Sequence, residues 1–190
     1  MFGITNTKEA ELTDTQQVRE LDKCIESFPY FLTYCKIVEP PTQENTGGVI
    51  DFELWPHLKV FISALLNNPL VTLIKARQIG ASNTIANYVL WRMYKKGATW
   101  MLSSKGEREA IELLDKARRT YYNLPEFLKL KLNHNSATEM AFEGYRSIKA
   151  FAATETAMIS FTSSGVVCDE WDYHPYAEQN FSNAKPTIDA

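Results

Sequence analysis

The chain has 190 residues with 45% hydrophobic content, enough for one sizeable domain with a real core. No run of ~18 apolar residues exists, so no membrane-spanning helix is expected, and residues 1–13 lack the basic start and apolar stretch of a secretory signal. The formal net charge of −3 hides an asymmetry: residues 75–150 hold 14 Lys and Arg against 7 Asp and Glu, a balance of +7, and the remainder stands at −10.

Residues 1–13 are polar and expected to fray. Asp14 or Thr15 can cap a helix over 14–27, with Val18, Leu21 and Ile25 on one stripe. Residues 28–38 are aromatic and apolar, and Pro40-Pro41 to Gly47-Gly48 reads as a loop. Asp51-Phe52-Glu53-Leu54-Trp55-Pro56 leads into a second helix with apolar Val60, Phe61, Ala64 and Leu65, ended by Asn67-Asn68-Pro69. The run Leu70-Val71-Thr72-Leu73-Ile74 is apolar and β-branched and reads as a strand. A helix follows over 82–94, closed by Lys95-Lys96-Gly97 with its basic residues and terminal glycine.

Ala98-Thr99-Trp100-Met101-Leu102-Ser103 is the next strand, and 106–122 a long amphipathic helix stopped near Pro125. Residues 138–142 and 147–151 flank Glu143-Gly144-Tyr145-Arg146, which predicts a hairpin. A last strand over 165–168 precedes Asp169-Glu170. The order β-α-β-α-ββ-β predicts a three-layer α/β domain. No repeat or low-complexity segment is present. After Lys185-Pro186-Thr187 no closing element is recognisable before Ala190, so the sheet is expected to be C-terminally truncated.

The basic block suits a DNA-facing or phosphate-facing surface. It equally suits solvated helix faces, since Glu109, Glu112, Asp115, Lys116, Arg118 and Arg119 recur at helical spacing. Charge counts do not choose between these readings. Cys24, Cys35 and Cys168 are unpatterned, and with only His57, His134 and His174 beside them no zinc spacing exists. A reducing cytosol is expected, with Cys168 a small buried thiol.

Between the strand at 70–74 and its following helix stands Lys75-Ala76-Arg77-Gln78-Ile79-Gly80-Ala81-Ser82. A strand, a turn that can hold phosphate and a helix, paired with a second strand ending in two acids, is the layout of a P-loop ATPase. Such a loop works because consecutive N–H groups and a helix N-terminus converge on a polyphosphate. Gly80 supplies the sharp turn, and Ser82 stands where a hydroxyl completes Mg²⁺ coordination. Lys75, the sole lysine of the loop, can bring its ammonium to the phosphates from the opposite end, with Arg77 as a second contact. Asp169 and Glu170 offer one carboxylate to hold Mg²⁺ and one to orient and deprotonate a water. Taken alone, the loop also reads as a tight turn with surface Lys and Arg, and the acidic pair as a solvated strand end. Their combination points to a nucleotide site. The loop departs from GxxxxGK[ST], with Lys75 at the first glycine and Ala81 at the lysine.

The segment 75–82 resembles the displaced-lysine loop of large terminase subunits, the DNA-packaging motors of tailed bacteriophages. Asp169-Glu170-Trp171-Asp172-Tyr173-His174-Pro175 resembles that family's extended acidic motif. Phe28-Pro29-Tyr30-Phe31 with Phe52-Glu53-Leu54-Trp55-Pro56 is similar to its lead-in. Ala152-Ala153-Thr154-Glu155-Thr156-Ala157 with Ser160-Phe161-Thr162 is similar to the segment before the acidic strand. The resemblance covers about residues 25 to 190. It implies a three-layer P-loop NTPase domain with a mainly parallel sheet, residues 1–50 forming a helical lead-in and 51–190 an incomplete ATPase core. It further implies that the full-length protein is a Mg²⁺-dependent ATPase that drives double-stranded DNA into a procapsid, working with a small terminase subunit, a portal and a homo-oligomeric ring in the host cytoplasm, with no membrane, while weak or no turnover is expected of these 190 residues alone. Lys75 would be the signature lysine, Ser82 and Asp169 the Mg²⁺ ligands and Glu170 the catalytic carboxylate, with Arg77 assisting; the whole segment 75–82 would cradle ATP.

The chain departs from that family at three points. Leu58 stands where a glutamine often reads the adenine. Met158-Ile159 stands where Gly-Arg often supplies an arginine to a neighbour, leaving Arg146, Arg118 and Arg119 as substitutes by charge alone. Ala81 replaces the usual lysine. These departures support an alternative, a terminase-like nucleotide-binding domain that serves assembly without turnover of its own. A helicase-type ATPase is a third possibility, disfavoured because further helicase motifs are missing. Trp55, Trp91, Trp100 and Trp171 are expected to be packing residues, and His174 a structural one. Ser103-Ser104-Lys105 reads either as a phosphate or DNA contact or as a polar turn.

Overall fold

The stretch after Ala98 forms the strand its alternation predicts, and everything else is arranged around it. In the computed structural model, which describes residues 12–39, 41, 47–152, 154–155 and 162–188, this strand is β3 (Thr99–Ser104). It is preceded by α1 (Asp14–Glu26), α2 (Phe28–Phe31), β1 (Lys36–Glu39), β2 (Gly48–Asp51), α3 (Pro56–Asn67) and α4 (Ala81–Arg92). After it come α5 (Glu107–Asn123), β4 (Leu132–Asn135), β5 (Glu139–Phe142), β6 (Arg146–Ala152), β7 (Gly165–Cys168) and α6 (Ala177–Ile188).

The five-stranded sheet runs β4-β5-β6-β3-β7. β3 lies parallel to β6 on one side and to β7 on the other. β5 pairs antiparallel with both β4 and β6. The sheet is therefore mixed rather than mainly parallel. Short turns join β4 to β5 and β5 to β6, and a connection of a few residues can only reverse the chain; a parallel neighbour needs a long crossover. β3 is an interior strand, flanked by β6 and β7, and buried on both faces. Trp100 and Leu102 belong to the core shared with α4 and α5, whereas Met101 packs on the other side with Ala184 of α6. Alternation along the strand thus sorts these side chains into two cores. Gly165 begins β7 because any Cβ there would lie 2.5–2.7 Å from the Trp100 ring.

α5 shows its 3.6-residue period plainly: Ala110, Leu113, Leu114, Ala117 and Tyr121 are buried. The lead-in packs onto the back of α4. Phe28 meets Tyr88 edge-on with ring centroids 5.3 Å apart, and the Trp91 indole N–H donates to the Cys24 carbonyl at 2.8 Å. Complete burial of Phe28 contributes about 1.5–3 kcal/mol. Trp100 is buried and Trp91 half-buried, whereas Trp55 is 41% exposed, outside the packing role expected for it.

Several elements differ from the sequence expectation. Thr13, not Asp14 or Thr15, caps α1, because Thr13 and Gln16 satisfy each other's N–H groups in a capping box. β1 and β2 form an unforeseen antiparallel hairpin, Lys36 opposite Asp51, and Thr120 Oγ1 of α5 donates to the Lys36 carbonyl at 3.2 Å. β4 was also not expected. α6 covers a segment, 177–188, for which no element was predicted; Ala177, Phe181, Ala184 and Ile188 recur at helical spacing, and Pro186 falls in the last turn.

Residues 70–74 form no strand. Leu70 is 68% and Ile74 97% exposed, and no described strand pairs with them. β-propensity is worth only ~1 kcal/mol and does not replace a ladder partner. Residues 1–11, Pro40, 42–46 and the stretch 156–161 containing Met158-Ile159 lie outside the described residues, as does Ala153. Among the described residues no helix is long and apolar enough to cross a membrane.

α1 and α2 are joined by one carboxylate. Glu20 Oε2 accepts from the Tyr30 and Tyr34 hydroxyls at 2.5 and 2.6 Å, and Oε1 accepts from Lys23 at 2.7 Å. These bonds, Lys23 foremost, hold the Glu20 carboxyl down at about 2 against an ordinary 4.5. A depressed folded pKa stabilises above the unfolded value and is lost as pH falls through the folded one. The unfolding free energy of the native chain should accordingly drop more steeply between pH 4.5 and 2 than that of Glu20→Gln. Parallel pH slopes in chemical denaturation would contradict this.

Candidate functional site

The site starts from a helix end without a capping side chain. Gly80 precedes α4 with φ 78°, in the left-handed region glycine occupies without penalty. Gln78 is also left-handed at φ 61°, a conformation costing a non-glycine residue about 1–3 kcal/mol and concentrated where function demands it. The bend is held from below by α3. His57 Nε2 lies 2.9 Å from the Ile79 carbonyl, which can only accept, so the ring carries its proton on Nε2. Leu58 is buried, and a Cβ at position 80 would stand 3.3 Å from its Cδ1. Leu58 is therefore a floor for the turn and is not open to a base.

Opposite this turn, β7 delivers the acids. The Asp169 N–H donates to the Ser103 carbonyl at 2.9 Å, which extends the β3–β7 ladder and sets the carboxylate at the strand end. Ser82 Oγ, 87 residues earlier in the chain, donates to Asp169 Oδ2 at 3.2 Å. Lys75 Nζ lies 4.0 Å from Asp169 Oδ1, a loose pair of modest strength. Lys75, Ser82 and Asp169 are thus brought together. Arg77 is not: it is exposed and makes no ion pair or hydrogen bond with the described residues. Ala76 is exposed, Ile79 half-buried and Ala81 buried at the helix start.

Glu170 is separate from this trio. Its backbone is left-handed at φ 54°, ψ 42°, with its N–H donating to Asp169 Oδ1 at 3.0 Å. Its Oε2 meets Lys105 Nζ at 2.9 Å. Lys105 also stands 5.7 Å from the centre of the Tyr173 ring. The Glu170 carboxylate beside it raises the Lys105 pKa. The sequence left Lys105 open between a ligand contact and a polar turn; its partner in the structure is Glu170. His57 was not foreseen at all, because its partner is a backbone carbonyl that no residue type announces.

Two of the arginines proposed by charge alone, Arg118 and Arg146, are placed away from these acids. Arg118 is tied to Asp115, the Asn135 side chain and the Ser136 carbonyl. Arg146 opens β6 near the Thr99 end of β3, roughly 17 Å of strand from the Ser104 end. Cys168 is half-buried rather than fully buried as expected, and desolvation pushes its thiol up to about 12. His174 is buried beside Trp171, ring centroids 4.8 Å apart, with its pKa lowered mainly by burial. Neither ring nitrogen has a side-chain hydrogen-bond partner among the described residues, so burial and the Trp171 contact place it.

Among the described residues no group of three or more His, Cys, Asp or Glu could hold a metal ion. Ser82 and Asp169 nevertheless form a hard-oxygen pair 3.2 Å apart, and adjacent ligands of an octahedral ion bonded at ~2.1 Å stand about 3 Å apart. The pair fits Mg²⁺ with water and phosphate supplying the other ligands, the usual habit of that ion. Left-handed turn, uncapped helix start, lysine and acid together offer positive dipoles and charge to an anion and oxygen ligands to a cation. No protein-family model matches this chain, and no curated protein matches it.

Proposed function

We propose that this chain is the ATP-hydrolysing part of a viral DNA-packaging motor of the large-terminase type, built on a P-loop NTPase fold. The observation that carries the reading is the meeting of Lys75, Ser82 and Asp169 at the uncapped start of α4. Two of the residue types needed for a Mg²⁺-nucleotide come from the segment 75–82, and the third, Asp169, joins them from the end of β7, 87 residues after Ser82. The parallel strands β3 and β7, with helices against both faces, support an α/β sheet of that kind, whereas the strand expected at 70–74 before the loop is not formed.

In this mechanism the N–H groups at the start of α4 and the Lys75 ammonium hold the phosphates. Ser82 and Asp169 hold Mg²⁺, which when bound supplies charge neutralisation at the phosphates. Glu170 orients the attacking water and takes its proton. Phosphoryl transfer asks little covalent chemistry of the protein, so positioning and charge supply the rate. Double-stranded DNA, a small terminase subunit, a portal with its procapsid and a ring of identical subunits in the host cytoplasm follow as partners on this reading. The second reading, nucleotide binding for assembly without turnover, is favoured by one observation: the Glu170 carboxylate is engaged by Lys105.

Calorimetric titration of the chain with ATP is the direct test. Saturable binding with Kd roughly between 1 μM and 1 mM is expected, the usual range for substrates, and it should vanish when EDTA removes Mg²⁺. Absence of binding with Mg²⁺ present overturns the proposal.

A further inference from the structure

We infer that Ser103, His174 and Asn180 line a buried hydration site whose bound water fastens α6 to the ends of β3 and β7. The site lies on the α6 face of the sheet, whereas α4 packs on the other, so it does not depend on the nucleotide reading. Three buried side chains there lack a hydrogen-bond partner among the described residues: the Ser103 hydroxyl, both ring nitrogens of His174 and both polar atoms of the Asn180 amide. Asn180 is 0% exposed. Buried amides and imidazoles in folded proteins are paired, because burying them bare forfeits the hydrogen bonds they make to water. Asn183 shows the contrast: its amide donates to the Glu155 carbonyl at 3.3 Å.

The fold brings the three to one place. Met101 and Ser103 are two apart on β3 and share a face, where Met101 packs with Ala184 of α6. Asn180 and Ala184 are four apart on α6 and share a stripe. α6 starts beyond the tip of β7 and runs back along the sheet, since Ala184 meets Met101 in the strand interior. One helical turn back from Ala184 is about 6 Å, and two strand residues on from Met101 is about 6.6 Å. Asn180 accordingly stands over Ser103. The Ser103 carbonyl accepts from the Asp169 N–H at 2.9 Å, and the Asp169 backbone is also what His174 approaches, its ring stacked on Trp171.

The donors and acceptors select the ligand. Asn180 offers two donors and an acceptor, neutral His174 one of each, and Ser103 a hydroxyl that does both. A cation would oppose the amide and imidazole N–H groups; an anion would oppose the Asn180 oxygen and the imidazole lone pair. Water both donates and accepts, and it satisfies such mixed sets with about two to four bonds. Burial lowers the His174 pKa, which keeps the ring neutral and its lone pair available. The apolar footing of α6 is small, Ala184 against Met101 with Phe151, Val166 and Cys168 around it. The bridging water therefore sets where the helix sits.

The native chain is tested first. A high-resolution crystal structure should show water within about 2.7–3.2 Å of the Asn180 amide and of His174 or Ser103. In solution the Asn180 side-chain amide protons should give NOE and ROE cross-peaks of opposite sign to the water line, the mark of long-lived bound water. Direct bonds among the three side chains, a dry space, or an anomalous peak there after a rubidium bromide soak overturns the site. Amide hydrogen exchange then reads the fastening of α6. Asn180→Leu and Ser103→Ala should each speed exchange over 177–185 by roughly 5- to 30-fold, the equivalent of one lost buried hydrogen bond, and leave α5 at native rates. Together they should cost less than the product of the two, since both side chains bond the same water. Native rates in both single variants, effects that multiply in the double variant, or an equal rise over α5 overturns the bridge. Should Asn180→Leu fail to fold, Ser103→Ala and the native cross-peaks decide.

Discussion

Replacing Lys75 by alanine should weaken Mg·ATP binding by about 10- to 100-fold, the equivalent of the 1.5–3 kcal/mol that a hydrogen bond to a charged group contributes. Lys75 is the only lysine in the segment 75–82, and its ammonium already lies 4.0 Å from the carboxylate proposed to hold Mg²⁺. Its side chain is 26% exposed, so the charge is partly shielded from water and acts at lower effective dielectric than a surface lysine. Arg77→Ala should cost far less, since Arg77 is exposed and unpaired among the described residues. Side-by-side calorimetry of the two variants settles the matter. Native-like binding in Lys75→Ala with a collapse in Arg77→Ala would reverse the assignment. Native-like binding in both would place the phosphate contact on the backbone at the start of α4.

Glu170→Gln should separate binding from chemistry. The substitution keeps size and removes the base, so ATP affinity is expected to stay within about threefold while phosphate release falls by 10²–10⁴, the usual worth of a positioned general base. Single-turnover measurement on nucleotide-loaded protein reads the chemical step directly. Unchanged release would exclude Glu170 as the base. A glutamine can still accept a hydrogen bond from Lys105, so the strained turn at 170 should persist; matching thermal unfolding of the two proteins checks that the loss is chemical.

Much of the architecture was legible because it is written in short-range periodicity. The burial of Ala110, Leu113, Leu114, Ala117 and Tyr121 follows from spacing alone, and the hairpin of β5 and β6 from its turn residues. Gly80 and Asp169 could be singled out for the same reason: one has the backbone freedom and the other the strand-end position that a phosphate and metal site demands. What failed were expectations requiring a partner. Residues 70–74 have the composition of a strand, yet a strand exists only where a neighbour supplies its hydrogen bonds. No element was expected over α6, although Ala177, Phe181 and Ala184 stand at helical spacing. Leu58 showed as a missing glutamine; only its contact under Gly80 reveals a structural part.

By itself, the sequence determined part of the local alphabet of this protein: the helices at 14–26, 81–92 and 107–123, the sharp turn at Gly80 and the two acids at the end of β7. These depend on interactions within a few residues, and residue type and spacing are enough to specify them. Only the tertiary structure decided that Lys75 pairs with Asp169 and Lys105 with Glu170, that His57 braces Ile79, and that Arg77 is left outside. Those pairings join segments brought together by the parallel register of β3 and β7 and by the packing of α3 beneath the turn at Gly80. Charge identity is a local property; which charge meets which is a property of the assembled sheet.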